Sequence, residues 1–264
     1  MTEATELVNF PEGGYRYLKG VYQYSGGVAA QPGHAIDRVL FPRPMPLTEG
    51  FEAIAAHLAS LGRPITALCA CELRSPAPFS EAGFEAFNRR YADTLESWGL
   101  LRGERNPVAR TNVCPLVNVP SAPAFHAFSY TVDADATPGP ASFVVSGGGE
   151  ARDGQASYRD GMVRLGDTSL AGLREKLRYV MTEMERRAAG LGFGWADATV
   201  VQAYTVHDIG ALVQDEIIRR GNLSAGLTWH LTRPPIVDME VEMDLRRVRC
   251  ERLWSPAWCH PPLF

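Results

Sequence analysis

The chain has 264 residues, 45% hydrophobic and 21% charged, with a formal net charge of −4 and a pI near 5.9. That composition excludes a disordered chain, and the acidic balance leaves no electrostatic footprint for nucleic acid. Five cysteines without C-x-x-C spacing exclude a disulfide framework and a zinc ribbon.

A reducing, cytoplasmic compartment is the expectation from that cysteine usage. Residues 1–9 are acidic and lack an apolar core, so a signal peptide is not expected, and no apolar run has membrane-spanning length. In chain order, residues 15–25 read as a strand closed by glycines. Thr48 and Glu49 open a helix whose Phe51, Ile54, Leu58 and Leu61 recur at helical spacing, and Gly62 with Pro64 ends it. Residues 65–73 are short and apolar, as a buried strand requires. Ser80 caps a second helix, with Glu81 in its first turn and Phe84, Phe87, Tyr91, Leu95 and Trp98 on one face. Closing strands are expected over 111–119 and 125–132. Residues 133–140, rich in Asp, Ala, Thr, Pro and Gly, read as a linker. The order then repeats: a strand over 142–146, a long helix carrying Leu173, Leu177, Val180, Met181 and Met184, a strand over 199–206, and a shorter helix over 209–217. Residues 237–245 alternate apolar and acidic side chains, the period of a half-buried strand.

The repetition has a sequence signature. Ser25-Gly26-Gly27 leads to Gly33, and Ser146-Gly147-Gly148 leads to Gly154, at the same spacing. Self-similarity of this kind predicts two versions of one domain. Each is expected to pack two helices on one face of its sheet and leave the other, apolar face for a neighbouring domain. The expected division is 1–133, 141–250 and an irregular, proline- and aromatic-rich tail over 251–264.

This order of elements carries Tyr24-Ser25-Gly26, Phe79, Phe87-Asn88-x-x-Tyr91 and Asn106-Pro107-Val108-Ala109-Arg110-Thr111-Asn112-Val113. With these phrases it resembles the RidA (YjgF) superfamily, the two halves together covering nearly the whole chain. The phrases Cys69-Ala70-Cys71-Glu72-Leu73-Arg74-Ser75-Pro76 and Tyr204-Thr205-Val206-His207-Asp208 are similar to those of the 2-aminomuconate and 2-amino-5-chloromuconate deaminases. The resemblance implies an α+β chain, a tandem duplication of a chorismate-mutase-like domain, each with a mixed sheet and two helices on one face. It also implies homo-oligomers, a trimer of six similar domains before a dimer of four, with ligand clefts between domains and no metal or other cofactor. Several relatives act on enamine or imine groups and release ammonia.

In that family the arginine at the position of Arg110 binds the substrate carboxylate. A guanidinium suits this task as a planar fork that stays charged when partly buried; the structural alternative is an ion pair at a domain boundary. The second half has Ser224-Ala225-Gly226-Leu227-Thr228 at the equivalent stretch, without arginine. Its closing strand instead carries Glu240-Val241-Glu242 where the first half has Phe125-His126-Ala127-Phe128. A site composed from both halves, with Glu242 as proton shuttle, is one reading. An acidic row facing solvent is the other, and it is preferred for Asp238 and Asp244. Glu72 and Arg74, two apart on a strand, share a face; either they pair with each other, or both face the cleft, with burial raising Glu72 into the range of an acid–base group. Cys69 and Cys71 read as core. Ser25 is a candidate ligand contact beside a glycine turn, and Asn88 and Asn112 are candidate hydrogen-bonding groups. His207 is a possible cleft residue, with Asp208 a turn or helix cap, and His230 a possible acid or base. The histidine spacing matches no metal motif. The expected function is a metal-free hydrolytic deaminase of a small unsaturated amino-dicarboxylate. A general enamine or imine deaminase, a chorismate-type hydrolase and a non-catalytic carboxylate-binding protein are the alternatives.

Overall fold

The computed structural model describes residues 6–134, 139–152, 154–221 and 225–255. Three short antiparallel strands open the chain: β1 (Leu7–Phe10), β2 (Tyr15–Leu18) and β3 (Gly27–Ala30). The strand expected over 15–25 stops at Leu18. There the chain doubles back, Gly26 N–H donating to the Leu18 carbonyl and Val21 pairing with Tyr24. The strand β4 (His34–Pro46), to which the sequence reading assigned no residue range, runs straight into α1 (Leu47–Ser60). Next come β5 (Leu68–Arg74) and α2 (Glu81–Ser97), where the Ser80 hydroxyl accepts from Gly83 N–H as an N-cap. The strands β6 (Ala109–Pro115) and β7 (Ala124–Asp133) complete this half.

The second half supplies β8 (Phe143–Gly149), a single turn α3 (Tyr158–Gly161) and the long α4 (Leu170–Leu191). Ser169 caps the start of α4, and Gly192, at φ 91°, closes its end in the left-handed conformation that glycine adopts without strain. After β9 (Val200–Tyr204), the helix expected over 209–217 is wound partly as a π-helix (Val213–Ile218). Then follow β10 (Thr228–His230), β11 (Thr232–Arg233), β12 (Glu242–Arg247) and β13 (Cys250–Leu253). The strand expected over 237–245 begins only at Glu242; Asp238 stands at φ 71° in a turn before it.

The chain is α+β, with two mixed sheets ordered β1-β2-β3-β8-β12-β9-β10 and β11-β6-β5-β7-β4-β13. The strands β1–β3 complete the sheet of the second half, and β11 and β13 complete the sheet of the first. The two Ser-Gly-Gly phrases lie side by side, Gly27 opposite Val145 in the β3–β8 pairing. The sheet boundaries therefore cross the sequence division at 133/141. Cys250–Leu253 pair in parallel with Asp37–Leu40, so the tail expected to be irregular from 251 starts within a strand; residues 256–264 lie outside the described residues.

Helices α1 and α2 bury Phe51, Ile54, Phe84, Phe87 and Tyr91 against the first sheet, and α4 buries Leu177, Val180, Met181 and Met184 against the second. The junction between the sheets is polar, where an apolar contact was expected. Glu72 is held by two bonds from Arg38, at 2.6 and 2.8 Å. Asp244 accepts from Thr111 Oγ1 at 2.8 Å, Gln202 Nε2 at 2.9 Å and Tyr204 OH at 2.9 Å. Asp244, expected to face solvent, is 4% exposed. Its three donors satisfy the desolvated carboxylate.

Candidate functional site

The parallel pairing of β5 and β6 decides where Arg110 points. Cys71 lies opposite Arg110 and Glu72 opposite Thr111, so alternate side chains face α2 and the second sheet. Arg110 turns toward α2. Its guanidinium lies 4.9 Å from the ring centres of Tyr24 and Tyr91 and 5.7 Å from those of Phe84 and Phe87. This aromatic box holds the cation by its faces and leaves the Nη1 donor without a hydrogen-bond partner among the described residues, although the side chain is buried. Arg110 also makes no ion pair among the described residues. A buried guanidinium with an idle donor can accept an anion.

The backbone of β6 is stitched to β8 at this point. Arg110 N–H donates to Ser146 Oγ at 3.1 Å, Ser146 Oγ donates to the Ser25 carbonyl at 2.6 Å, and Gly147 N–H donates to Thr111 Oγ1 at 3.1 Å. The two halves thus meet along β6 and β8, and a cavity of about 60 Å³ opens between them. Arg110 and Asn112 enter it from the first half, Glu242 and Arg187 from the second, and Phe84 with Met239 form part of its apolar wall. Asn112 Oδ1 accepts from Ser75 Oγ at 3.0 Å, while its Nδ2 has no partner among the described residues. Arg187 donates from Nη1 to the carbonyls of Ser146 and Gly147, at 3.2 and 3.0 Å.

Glu242 sits directly over Gly147. A β-carbon at that glycine would lie 2.2 Å from Glu242 Oε1, so only glycine leaves the space that the carboxyl occupies. Burial, together with the negative charge of Asp244, pushes Glu242 up to about 8, against the opposing pull of Arg187 and Arg110. At neutral pH it is therefore a carboxylic acid, able to give a proton and to take it back. The cavity unites a cationic hook with no counterion, an amide donor and a protonated acid. That arrangement can hold a carboxylate at one point and move a proton at another.

The 2-aminomuconate deaminase CnbZ family matches residues 7–252. A 2-amino-5-chloromuconate deaminase of Comamonas testosteroni is 52% identical over 241 residues, covering 91% of this chain and 96% of that protein. The chain belongs to the 2-aminomuconate deaminase CnbZ family. Solved structures also resemble it: a chorismatase at 13% identity and TM-score 0.43, covering 84% of this chain and 77% of its own, and the YjgF protein of E. coli at 15% identity and TM-score 0.30, covering 41% and 80%.

Five other candidate site residues singled out by sequence, Ser25, Glu72, Arg74, Asn88 and His207, lie away from this cavity's lining. Glu72 pairs with Arg38, not with Arg74. Burial acting by itself would raise its carboxyl, but the charge and paired hydrogen bonds of Arg38 hold it well below the usual carboxylate range. It is thus an ionised structural group and not the raised acid expected. Arg74 is buried beneath the ring of Tyr204, 5.7 Å away, and donates to the Leu73 carbonyl. Its neighbours His126 and His230 are depressed by burial and by the charge of Arg74, His126 to about 3, and His230 bonds Gln202 Oε1 at 2.9 Å. His207 bonds Glu240 at 2.6 Å, and Asp208 accepts from Gly210 N–H as a turn cap. The Ser25 hydroxyl reaches only the Gly27 carbonyl, at 3.5 Å; its backbone, not its side chain, serves the site. Asn88 is fully buried on α2, with both amide atoms unpartnered, and lines an adjoining cleft of about 650 Å³. Among the described residues no group of three or more His, Cys, Asp or Glu is placed to hold a metal ion.

Arg187 was missed. Its signal was present: it stands three residues after Met184 and seven after Val180, on the apolar stripe of α4, where an arginine has no packing reason to be. Tyr24 and Gly147 were read as parts of motifs. Their roles as ring wall and carboxyl seat depend on strands brought together from both halves.

Proposed function

We propose that this protein is a hydrolytic deaminase of a small unsaturated amino-dicarboxylate of the 2-aminomuconate type, working without a metal. One observation carries the reading: a buried Arg110 without an ion pair among the described residues and a buried Glu242, from opposite halves, share one cavity. The kinship with a 2-amino-5-chloromuconate deaminase supports the choice of substrate.

Arg110 and Asn112 Nδ2 grip the carboxylate next to the amino-bearing carbon. The Glu242 carboxyl gives its proton to the neighbouring alkene carbon, whose π pair forms the new C–H bond while the nitrogen lone pair closes a C=N⁺ bond. A water oxygen adds to the amino-bearing carbon of that C=N⁺ bond and returns a proton to the Glu242 carboxylate. The C–N bond then breaks; nitrogen leaves as ammonia with the proton of the new hydroxyl, and a C=O bond remains. The iminium is itself electrophilic, so the chain has to supply orientation and charge placement. Free thiols at Cys69, Cys71 and Cys114 support the reducing, cytoplasmic setting. A homo-oligomer, with a trimer expected from the resemblance, belongs to the same reading; exposed Leu116, Val117, Trp229 and Leu231 support it, and a mass measurement in solution tests it.

The test is ammonia release from 2-aminomuconate generated in place, beside 2-iminobutanoate and chorismate. Fastest turnover of 2-aminomuconate is expected. Preference for 2-iminobutanoate or chorismate, or binding without turnover of any of the three, overturns the assignment.

A further inference from the structure

The cavity around Arg110 is narrow, about 60 Å³, and two larger clefts adjoin it. A six-carbon amino-diacid held by one carboxylate at Arg110 carries its other carboxylate at the far end of the carbon chain, toward one of these clefts. The first, of about 650 Å³, shares Phe84 and Tyr158 with the cavity; its charged lining is Glu81, Glu85 and Arg152. The second, of about 620 Å³, shares Tyr24 and Arg187 with the cavity; its charged lining is Lys19, Arg152, Arg186, Arg187 and Glu183. Two acids against one base repel a carboxylate; four bases against one acid attract it.

The individual cations divide in the same way. Arg186 is engaged by Glu183 at 2.7 Å, and Lys19 by Glu6 at 3.6 Å. Arg152 makes no ion pair among the described residues; its guanidinium lies 5.7 Å from the Tyr179 ring. Arg187 spends Nη1 on two carbonyls and has Glu183 at 3.9 Å from Nε. Its Nη2 makes no hydrogen bond among the described residues. Its side chain is 12% exposed, at the neck between cavity and cleft.

We propose that Arg187, with Arg152 beyond it, forms a second carboxylate subsite that takes the far end of the substrate and makes the enzyme select dicarboxylates over monocarboxylates. This rests on the deaminase reading. Arg110 fixes the end that reacts, Arg187 fixes the chain length, and Glu242 stands between the two halves of the grip.

The test pairs two acids with the same carbon chain, muconate and sorbate, which differ in the second carboxylate, in calorimetric titrations of the wild type, Arg187→Gln and Arg152→Gln. The wild type is expected to bind muconate roughly tenfold or more tighter than sorbate, as one charge-assisted hydrogen bond supplies. Arg187→Gln should erase most of that ratio and Arg152→Gln part of it. Turnover is read in parallel as the kcat/KM ratio of 2-aminomuconate to a monocarboxylate enamine. A wild type that binds muconate and sorbate equally, or ratios untouched in both variants, overturns the subsite. A wild type that shows the binding ratio but releases no ammonia sustains the subsite and removes the deaminase reading instead.

Discussion

Replacing Glu242 by glutamine separates the proton from the carboxyl shape. The amide is isosteric with the protonated acid and cannot ionise. In the unfolded chain Glu242 titrates near its ordinary 4.5; in the folded protein burial and Asp244 push it up to about 8. Below 4.5 both states carry the proton and the group leaves stability independent of pH. Between 4.5 and about 8 the folded state holds a proton that the unfolded state has lost, so stability falls as pH rises. At about 1.4 kcal/mol per pH unit the full loss is about 5 kcal/mol, and between pH 5.5 and 7.5 it is about 2–3 kcal/mol. Glutamine removes this loss. Urea denaturation of both proteins at pH 5.5, 6.5, 7.5 and 8.5 should show the variant gaining on the wild type at each step, since all other titrating groups cancel in the difference. The same variant should lose about 10²–10⁴-fold in kcat, the usual worth of a positioned acid. Parallel stability curves would refute the raised acid; a gain in alkaline stability with kcat intact would refute its catalytic role.

Arg110→Ala should lower kcat/KM by about 10²–10⁴-fold, from two charged hydrogen bonds worth about 1.5–3 kcal/mol each, while circular dichroism remains that of the wild type, because no ion pair of Arg110 is broken among the described residues; normal kinetics would exclude the anchor. Gly147→Ala puts a methyl group 2.2 Å from Glu242 Oε1 and 3.0 Å from the Thr111 methyl. It should displace the carboxyl and cut kcat at least about tenfold, with little change in urea midpoint; an active Ala variant would show that Glu242 need not occupy this seat. Glu72→Gln leaves the buried Arg38 only the part-exposed carboxylate of Glu251, 3.5 Å away, and should cost about 3 kcal/mol in urea titrations. Because Glu72 is held low, its contribution is present above 4.5 and lost as pH falls toward its folded value, so the deficit of the variant should shrink in acid. A deficit that is small or constant with pH would refute the pairing.

The family was readable in the chain because its marks reside in local phrases. The Asn106–Val113 stretch places an arginine on a strand after α2, and the lone acidic row after the second half's helices marks Glu242. Caps and helix faces were readable for the same reason: Ser80 and Ser169 act within one turn of themselves. The strand β4 was not, since its residues 34–46 mix charged, apolar and proline residues without a period, and its pairing with β7 and β13 supplies what the pattern lacks.

The sequence by itself determined two related halves, with Arg110 in a family phrase of one and an acidic row in the other. Tertiary structure alone decided that these groups meet. Strand pairing puts Ser146 beside Arg110 and Gly147 beneath Glu242, contacts between residues more than thirty and ninety positions apart that no local periodicity encodes. It also decided the fates of the two buried glutamates. Glu72 lies against a guanidinium and stays ionised, whereas Glu242 lies beside another carboxylate and keeps its proton. The charge of a buried acid is set by its neighbours in space: Arg38 on β4 for Glu72, and Asp244 with the surrounding burial for Glu242.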